Sequence, residues 1–383
     1  MITQTDEYRK VINERGIEVR HENKVLNISC QIYDSMKDMK YKKLLSGNGG
    51  APCLLCDSQI DDWVNTEKVI EGFPISRSAE ETEVRYNALV NSEGQITRKP
   101  RDFDVRKGLT NKPYTTSDQR SITITHQYIN VTSWFIKLLS RVHIDYLRWE
   151  EKKTCLGDPI RRSTERVLDR IEEVTGLRLE QVQSSGHGGT STDGNSGRRF
   201  FSEELVEVIN QLAPDKHWSH IVLLHQQISA ILRVISSSDN IRTESLQELC
   251  INTSMNIATN FKWVPINFTL HSSLHHSAEL ISLNGDRGLG ELSEEALEAN
   301  NKDIRLYMNT HSRKSDPILQ LTDVMNRTLE RSHPCVRYAI EQFRPKKQCT
   351  KCGSTSHTIR SHHTVVGGGA RRHFDQLVAD ILD

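Results

Sequence analysis

Ser46-Gly-Asn-Gly-Gly50 leads through Ala51 and Pro52 into Cys53-Leu-Leu-Cys56, and much later comes His271-Ser-Ser-Leu-His-His276. A CxxC after a glycine turn lets two thiolates reach one tetrahedral Zn²⁺, and the H-x4-H spacing falls within the range of zinc histidines. Cys53, Cys56, His271 and His276 are therefore candidate ligands of one split Cys2His2 zinc closing a largely helical body. Two buried thiols and a solvated helix end would give the same residues, so both readings stand on sequence alone.

Outward from this pair the chain is mostly helical by pattern. Residues 57–180 carry helical periodicity, as in Trp134–Glu151 and Ser163–Thr175, and it returns over 202–212, 217–236 and 246–260. Residues 292–307 hold strong helix formers, with Ser293 as the expected N-cap. Towards the N-terminus a short helix is expected over 5–20. A strand follows over Lys24–Tyr33, where Leu26, Ile28, Cys30 and Ile32 alternate onto one face before Asp34. Residues 184–197 are so rich in Gly, Ser, Thr and Asn that a loop or linker is expected. No internal repeat is found.

Length and charge set outer limits. The 383 residues suffice for two or three structural units, and a hydrophobic fraction of 36% with a mean hydropathy of −0.56 implies much surface or loop. Fifty Lys and Arg balance fifty Asp and Glu, so there is no global electrostatic case for nucleic acid. No run approaches the ~18 apolar residues of a membrane span, so no membrane partner is expected. The N-terminal MITQTDEYRK has no apolar centre, so no secretory signal is expected, and the CxxC pairs near histidines favour metal over disulfides.

Charge is uneven locally. Cys349-x2-Cys352-x4-His357-x4-His362 places four ligands in a compact set resembling a zinc knuckle, and such a polar segment needs metal to order it. Between Phe343 and His373 lie seven Lys or Arg, including Lys346 and Lys347, and no Asp or Glu. That is the footprint of a nucleic-acid-binding knuckle. A basic tail with chance Cys and His is the alternative. Glu294, Glu298 and Lys302 share one helical face, and a strand-end Asp34 with a helical Glu298 is what a two-metal phosphoryl-transfer site would use. Glu-rich helices, however, commonly present solvated faces.

The order of the pieces resembles the catalytic region of the V(D)J recombination-activating protein 1 and Transib transposase family. The likeness runs through Tyr33-Asp34, Cys53-x-x-Cys56-Asp57, Ile75-Ser-Arg-Ser78, Arg85-Tyr86, Lys112-Pro-Tyr114, His126, Asp193-Gly-Asn-Ser-Gly-Arg-Arg199 and His271-x4-His276. It ends with Leu292-Ser-Glu-Glu-Ala-Leu-Glu298-Ala-Asn-Asn301-Lys302, the most specific match.

The resemblance implies an α/β, mainly helical fold: an incomplete RNase H-like core with a large helical zinc-binding insertion and a C-terminal zinc knuckle. The expected divisions are 1–52 (partial RNase H-like core), 53–290 (insertion), 291–342 (catalytic Glu helix and followers) and 343–383 (basic tail). Asp34 and Glu298 would be the second and third acids of a DDE triad holding Mg²⁺ or Mn²⁺. His126 would orient phosphate or water, or else be a structural histidine. Arg198 and Arg199 would clamp DNA backbone and Lys302 would neutralise phosphate; a solvated arginine pair and an intrahelical ion pair are the alternatives. Two structural zincs, double-stranded DNA with terminal inverted repeats or signal sequences, a homodimer, a second RAG-type subunit and a nuclear location follow from the family.

Only 33 residues precede Asp34, and Asp6 sits in a helical context, so the first acid is expected to be missing and the chain by itself inactive in cleavage. The final knuckle ligand is His where the family has Cys. A domesticated or decayed DNA-binding zinc protein without catalysis is the competing class, and a zinc-stabilised helical interaction protein is a third.

Overall fold

The computed structural model describes residues 11–12, 14–21, 24–28, 39–49, 53–96, 103–114, 121–144, 157–184, 187–191, 193–293, 295–343 and 378–382. Two compact units are separable, residues 1–36 and 37–383.

In the first unit the helix expected over 5–20 ends early. Gly16, at φ 72°, donates its N–H to Ile12 O and redirects the chain into β1 (Ile17–His21). β1 pairs antiparallel with β2 (Lys24–Ile28), Ile17 opposite Ile28 and His21 opposite Lys24. The expected strand over Lys24–Tyr33 is thus present as far as Ile28. Asp34 lies outside the described residues.

The second unit is helical. Its helices are α1 (Met39–Leu45), α2 (Thr66–Glu71), α3 (Ala79–Leu89), α4 (Phe103–Arg106), α5 (Ile124–His143) and α6 (Gly157–Thr175). After a hairpin of β3 (Glu180–Ser184) and β4 (His187–Ser191) come α7 (Gly194–Phe200), α8 (Glu204–Leu212), α9 (Asp215–Ile235), α10 (Thr243–Asn260), α11 (Phe268–His275), α12 (Ser277–Leu283), α13 (Glu295–Thr310), α14 (Pro317–Ser332) and α15 (Pro334–Phe343). Side-chain caps start several of them: Asn65 accepts from Glu67 N and Lys68 N, Ser78 from Glu81 N, and Asn267 from Leu270 N. Each such cap stabilises its helix by about 1 kcal/mol. Ser293 instead closes a 3₁₀ turn (Leu289–Leu292), and α13 begins two residues later. No helix is long and apolar enough to cross a membrane among the described residues.

α5 is the central strut. It buries Val131, Trp134, Phe135, Leu138, Leu139 and Val142, and packs on α6, α7 and α11. Phe135 sits edge-on to Phe200, Phe201 and His225, whose ring centroids lie 5.9–6.1 Å away. Trp134 Nε1 donates to Pro265 O at 3.1 Å, so the indole is buried without an orphaned donor.

The expected loop over 184–197 is a correction. β3 (Glu180–Ser184) pairs antiparallel with β4 (His187–Ser191), and α7 begins at Gly194. Asp193 caps α7 by accepting from Ser196 N. Gly194 and Gly197 serve close approach: a Cβ on Gly194 would stand 2.9 Å from Thr125 Cγ2, and one on Gly197 2.9 Å from Tyr128. Among the described residues the strands form two separate two-stranded hairpins.

Candidate metal centre

The loop carrying Cys53 and Cys56 is fixed from below. Gly47, at φ 69°, accepts through its carbonyl from Thr110 N and Asn111 N, and a Cβ there would lie 2.3 Å from Asn111 O. Gly49 N donates to Gly108 O. The glycine turn is therefore pressed against the 108–113 segment. His271 and His276 come from α11, which Asn267 caps and α5 supports: Gln127 Nε2 donates to Ser272 Oγ, and Ser273 Oγ donates to Gln127 Oε1.

These four residues converge and are buried, with all ligand atoms within 4.8 Å of one another. Cys53 Sγ lies 3.3 Å from His276 Nε2, Cys56 Sγ 3.4 Å from His271 Nε2, and the two Nε2 atoms are 3.2 Å apart. A tetrahedron with Zn–S of ~2.3 Å and Zn–N of ~2.05 Å has edges of roughly 3.3–3.8 Å, so these three separations come close to those of a zinc coordination shell. The donor set, two sulfurs and two imidazole nitrogens, suits the same ion.

The electrostatics agree with that fit. Burial pushes His271 down to about 4, leaving the neutral imidazole a metal requires. The Cys56 thiol is held far below its ordinary range, first by its hydrogen bond with Cys53 and further by both histidines, while burial pushes Cys53 up. A dication would neutralise both sulfurs as thiolates.

The surrounding groups orient the ligands. Leu55 N donates to Cys53 Sγ at 3.3 Å. Trp63 Nε1 donates to Ser58 Oγ at 2.7 Å, which leaves the Ser58 hydroxyl proton for Cys56 Sγ, 2.9 Å away. Neither His271 Nδ1 nor His276 Nδ1 has a hydrogen-bond partner among the described residues. The His271 ring is aimed by packing instead, stacked on Trp63 and edge-on to Phe73. Behind the loop, Arg77 is 3.0 Å from Asp57 Oδ1 and donates to Cys56 O at 2.9 Å, and Arg85 lies 3.5 Å from Asp57 Oδ2. The CxxC and helix spacing reveal neither Arg77 nor Trp63 as a support; the Ile75-Ser-Arg-Ser78 string was the available signal for Arg77.

The other candidate residues are dispersed. His126 is half-buried on α5, Arg199 is exposed on α7, and Arg198 lies 4.4 Å over the Tyr128 ring. Glu298 falls within α13, one turn before the exposed Lys302. Lys302 is near enough to Asp193 to help lower its carboxyl, after the larger effect of the Ser196 N–H. Lys346, Lys347, Cys349, Cys352, His357 and His362 lie outside the described residues, as does Asp34.

The helical scaffold thus holds a buried cluster that could bind zinc. No protein-family model matches the chain, and no curated protein matches it.

Proposed function

We propose that this chain is a catalytic-core portion of a RAG-like or Transib-like DDE recombinase that engages double-stranded DNA carrying terminal inverted repeats. The supporting observation is a convergence of stretches far apart in sequence. α7, which bears Arg198 and Arg199, packs its first residue on Thr125, next to His126, while its cap Asp193 lies near Lys302. The Lys302 helix and the helix bearing Arg198 and Arg199 thereby approach one another at Asp193. The Cys53–Cys56–His271–His276 cluster would hold a structural zinc and fix α11 against the 53–77 segment.

In this reading Asp34 and Glu298 hold Mg²⁺ or Mn²⁺, which supplies activation of water and of a 3′-hydroxyl when bound. Arg199 and Lys302 contact DNA phosphate, Lys346 and Lys347 add grip from the second, Cys349–Cys352–His357–His362 zinc segment, and His126 orients phosphate or water. The complete recombinase works in the nucleus as a homodimer with a second RAG-type subunit. In this reading the chain grips terminal-repeat DNA through these basic groups.

The test is duplex binding across a salt series together with a nicking assay in Mg²⁺ or Mn²⁺. Binding should fall with salt, and Lys346→Ala with Lys347→Ala should flatten the slope by about one for each phosphate no longer neutralised. Salt-independent or absent duplex binding would overturn the reading, and Asp34-dependent cutting would favour the recombinase over a non-catalytic DNA-binding protein. A second reading is a domesticated or decayed DNA-binding zinc protein with no catalysis; among the described residues the strands form two two-stranded hairpins.

A further inference from the structure

Residues 239–242, the end of the connection between α9 and α10, have segments bonded to both edges. On one edge Gly288 N donates to Asp239 O at 3.0 Å and Ile241 N to Asp286 O at 2.8 Å, and Asn240 pairs antiparallel with Arg287. Gly288 and Gly290 let these segments close, since a Cβ on either would stand 2.4 Å from a carbonyl oxygen, of Ser237 or of Ser236. The other edge is taken by residues 378–382, which follow the basic stretch 343–373 in sequence. Arg242 N donates to Ile381 O at 2.8 Å, and Ile241 pairs antiparallel with Leu382. Arg242 Nη2 donates to Ala379 O at 3.3 Å and to Leu382 O at 3.0 Å. Segment 378–382 is itself one helical turn, closed by Ile381 N and Leu382 N donating to Val378 O. The last carbonyls of such a turn have no partner within it and favour a cation, and Arg242 supplies both a donor and a charge. Val378 and Ile381, three positions apart on one face, are buried, while Ala379 and Asp380 are exposed.

We propose that the Ile241–Arg242 edge is a peptide-docking groove for a short helical turn with aliphatic residues three apart, and that 378–382 occupies it as a releasable clasp. The groove reads main-chain carbonyls through Arg242 and two aliphatic side chains, which is a sparse code that a short peptide can satisfy. A contact of five residues is far smaller than the roughly 20–30 residues a side that hold two separate proteins together. Covalent attachment makes the docking intramolecular, so a contact too small for two molecules persists within one chain. The two edges therefore differ in how they open. Parting 239–241 from 286–288 means prising apart segments packed against backbone at Gly288 and Gly290, whereas freeing Arg242 N requires the release of a single turn.

The experiment is amide hydrogen exchange on the full zinc-loaded chain, without DNA. Ile241 and Arg242 are neighbours in sequence but donate to opposite edges. Corrected for intrinsic rates, the Arg242 amide should exchange at least about tenfold faster than that of Ile241, because the clasp opens alone. Val378→Glu combined with Ile381→Glu should leave Arg242 unprotected while Ile241 and the zinc content match wild type. A synthetic peptide of residues 374–383 should restore protection of Arg242 in that variant, and the same peptide carrying Ile381→Glu should not. Equal protection of the two amides in the wild type overturns the clasp without any variant having to fold. Failure of the unaltered peptide to protect Arg242 in a variant of wild-type zinc content overturns the groove. No DNA and no association between copies enters the measurement, so it fails or succeeds separately from the recombinase reading.

Discussion

Trp63 stacks on His271 with ring centroids 4.2 Å apart and planes inclined by 13°. The indole is fully buried, and through Ser58 it also touches the Cys56 sulfur. Trp63→Ala should therefore cost about 3–5 kcal/mol in folding stability and weaken zinc affinity together. Trp63→Phe keeps the stack but loses the Ser58 hydrogen bond, so it should retain most of the stability and show weaker metal retention against a chelator. Equal metal retention in wild type and Trp63→Ala would refute the coupling.

Metal content gives a second check. Cys53→Ser and His276→Ala should each lose one zinc, while Cys250→Ser, which alters a buried thiol hydrogen-bonded to Ser273 and Ser277, should lose none. Chelation of the wild type should lower its melting temperature by a margin that depends on free zinc, because the ion binds the folded site. A melting temperature indifferent to zinc would remove the structural role.

His225 predicts an acid response of a different origin. It is fully buried beside Phe135 and Phe201, and burial lowers its pKa to about 4. In the unfolded chain the imidazole takes its proton below about 6.5, whereas the folded protein resists it until about 4. Stability is present above the unfolded pKa and falls with pH through that window, by about 3 kcal/mol in total. His225→Leu should flatten the dependence between pH 6.5 and 4, measured by denaturant unfolding. An unchanged slope in His225→Leu would show that the dependence lies elsewhere.

Gly197→Ala tests the close packing of α7. Its new methyl would press on Tyr128 backbone and side chain, and an overpacked contact costs about 1–3 kcal/mol. The shift should also disturb Arg198 over the Tyr128 ring, read as altered tyrosine fluorescence. A neutral variant would mean that α7 stands off from α5.

Much of the helical frame was legible in sequence. The expected helices over 217–236 and 246–260 correspond to α9 and α10, because their buried faces repeat at the helical period. The four residues of the candidate metal cluster were legible by spacing and residue type, although nothing in the spacing said which cysteine would meet which histidine. Gly194 and Gly197 misled because composition alone cannot distinguish a glycine required for flexibility from one required by a neighbour's proximity. Arg77 and Trp63 were hidden for the opposite reason: their roles exist only after segments remote in the chain have met.

The four converging ligands also fix a sequence of events. Cys56 and His271 are 215 positions apart, and Cys53 and His276 are 223 apart. Closing a loop of that length costs about 2 kcal/mol more chain entropy than closing one of ~14 residues such as a knuckle. A compact motif can capture its ion as soon as it leaves the ribosome, whereas this one cannot exist until α11 has been made and docked on α5. A zinc held at this site would therefore be a seal on a finished fold, and a chain stalled or misassembled before His276 would carry an open pair of thiols instead.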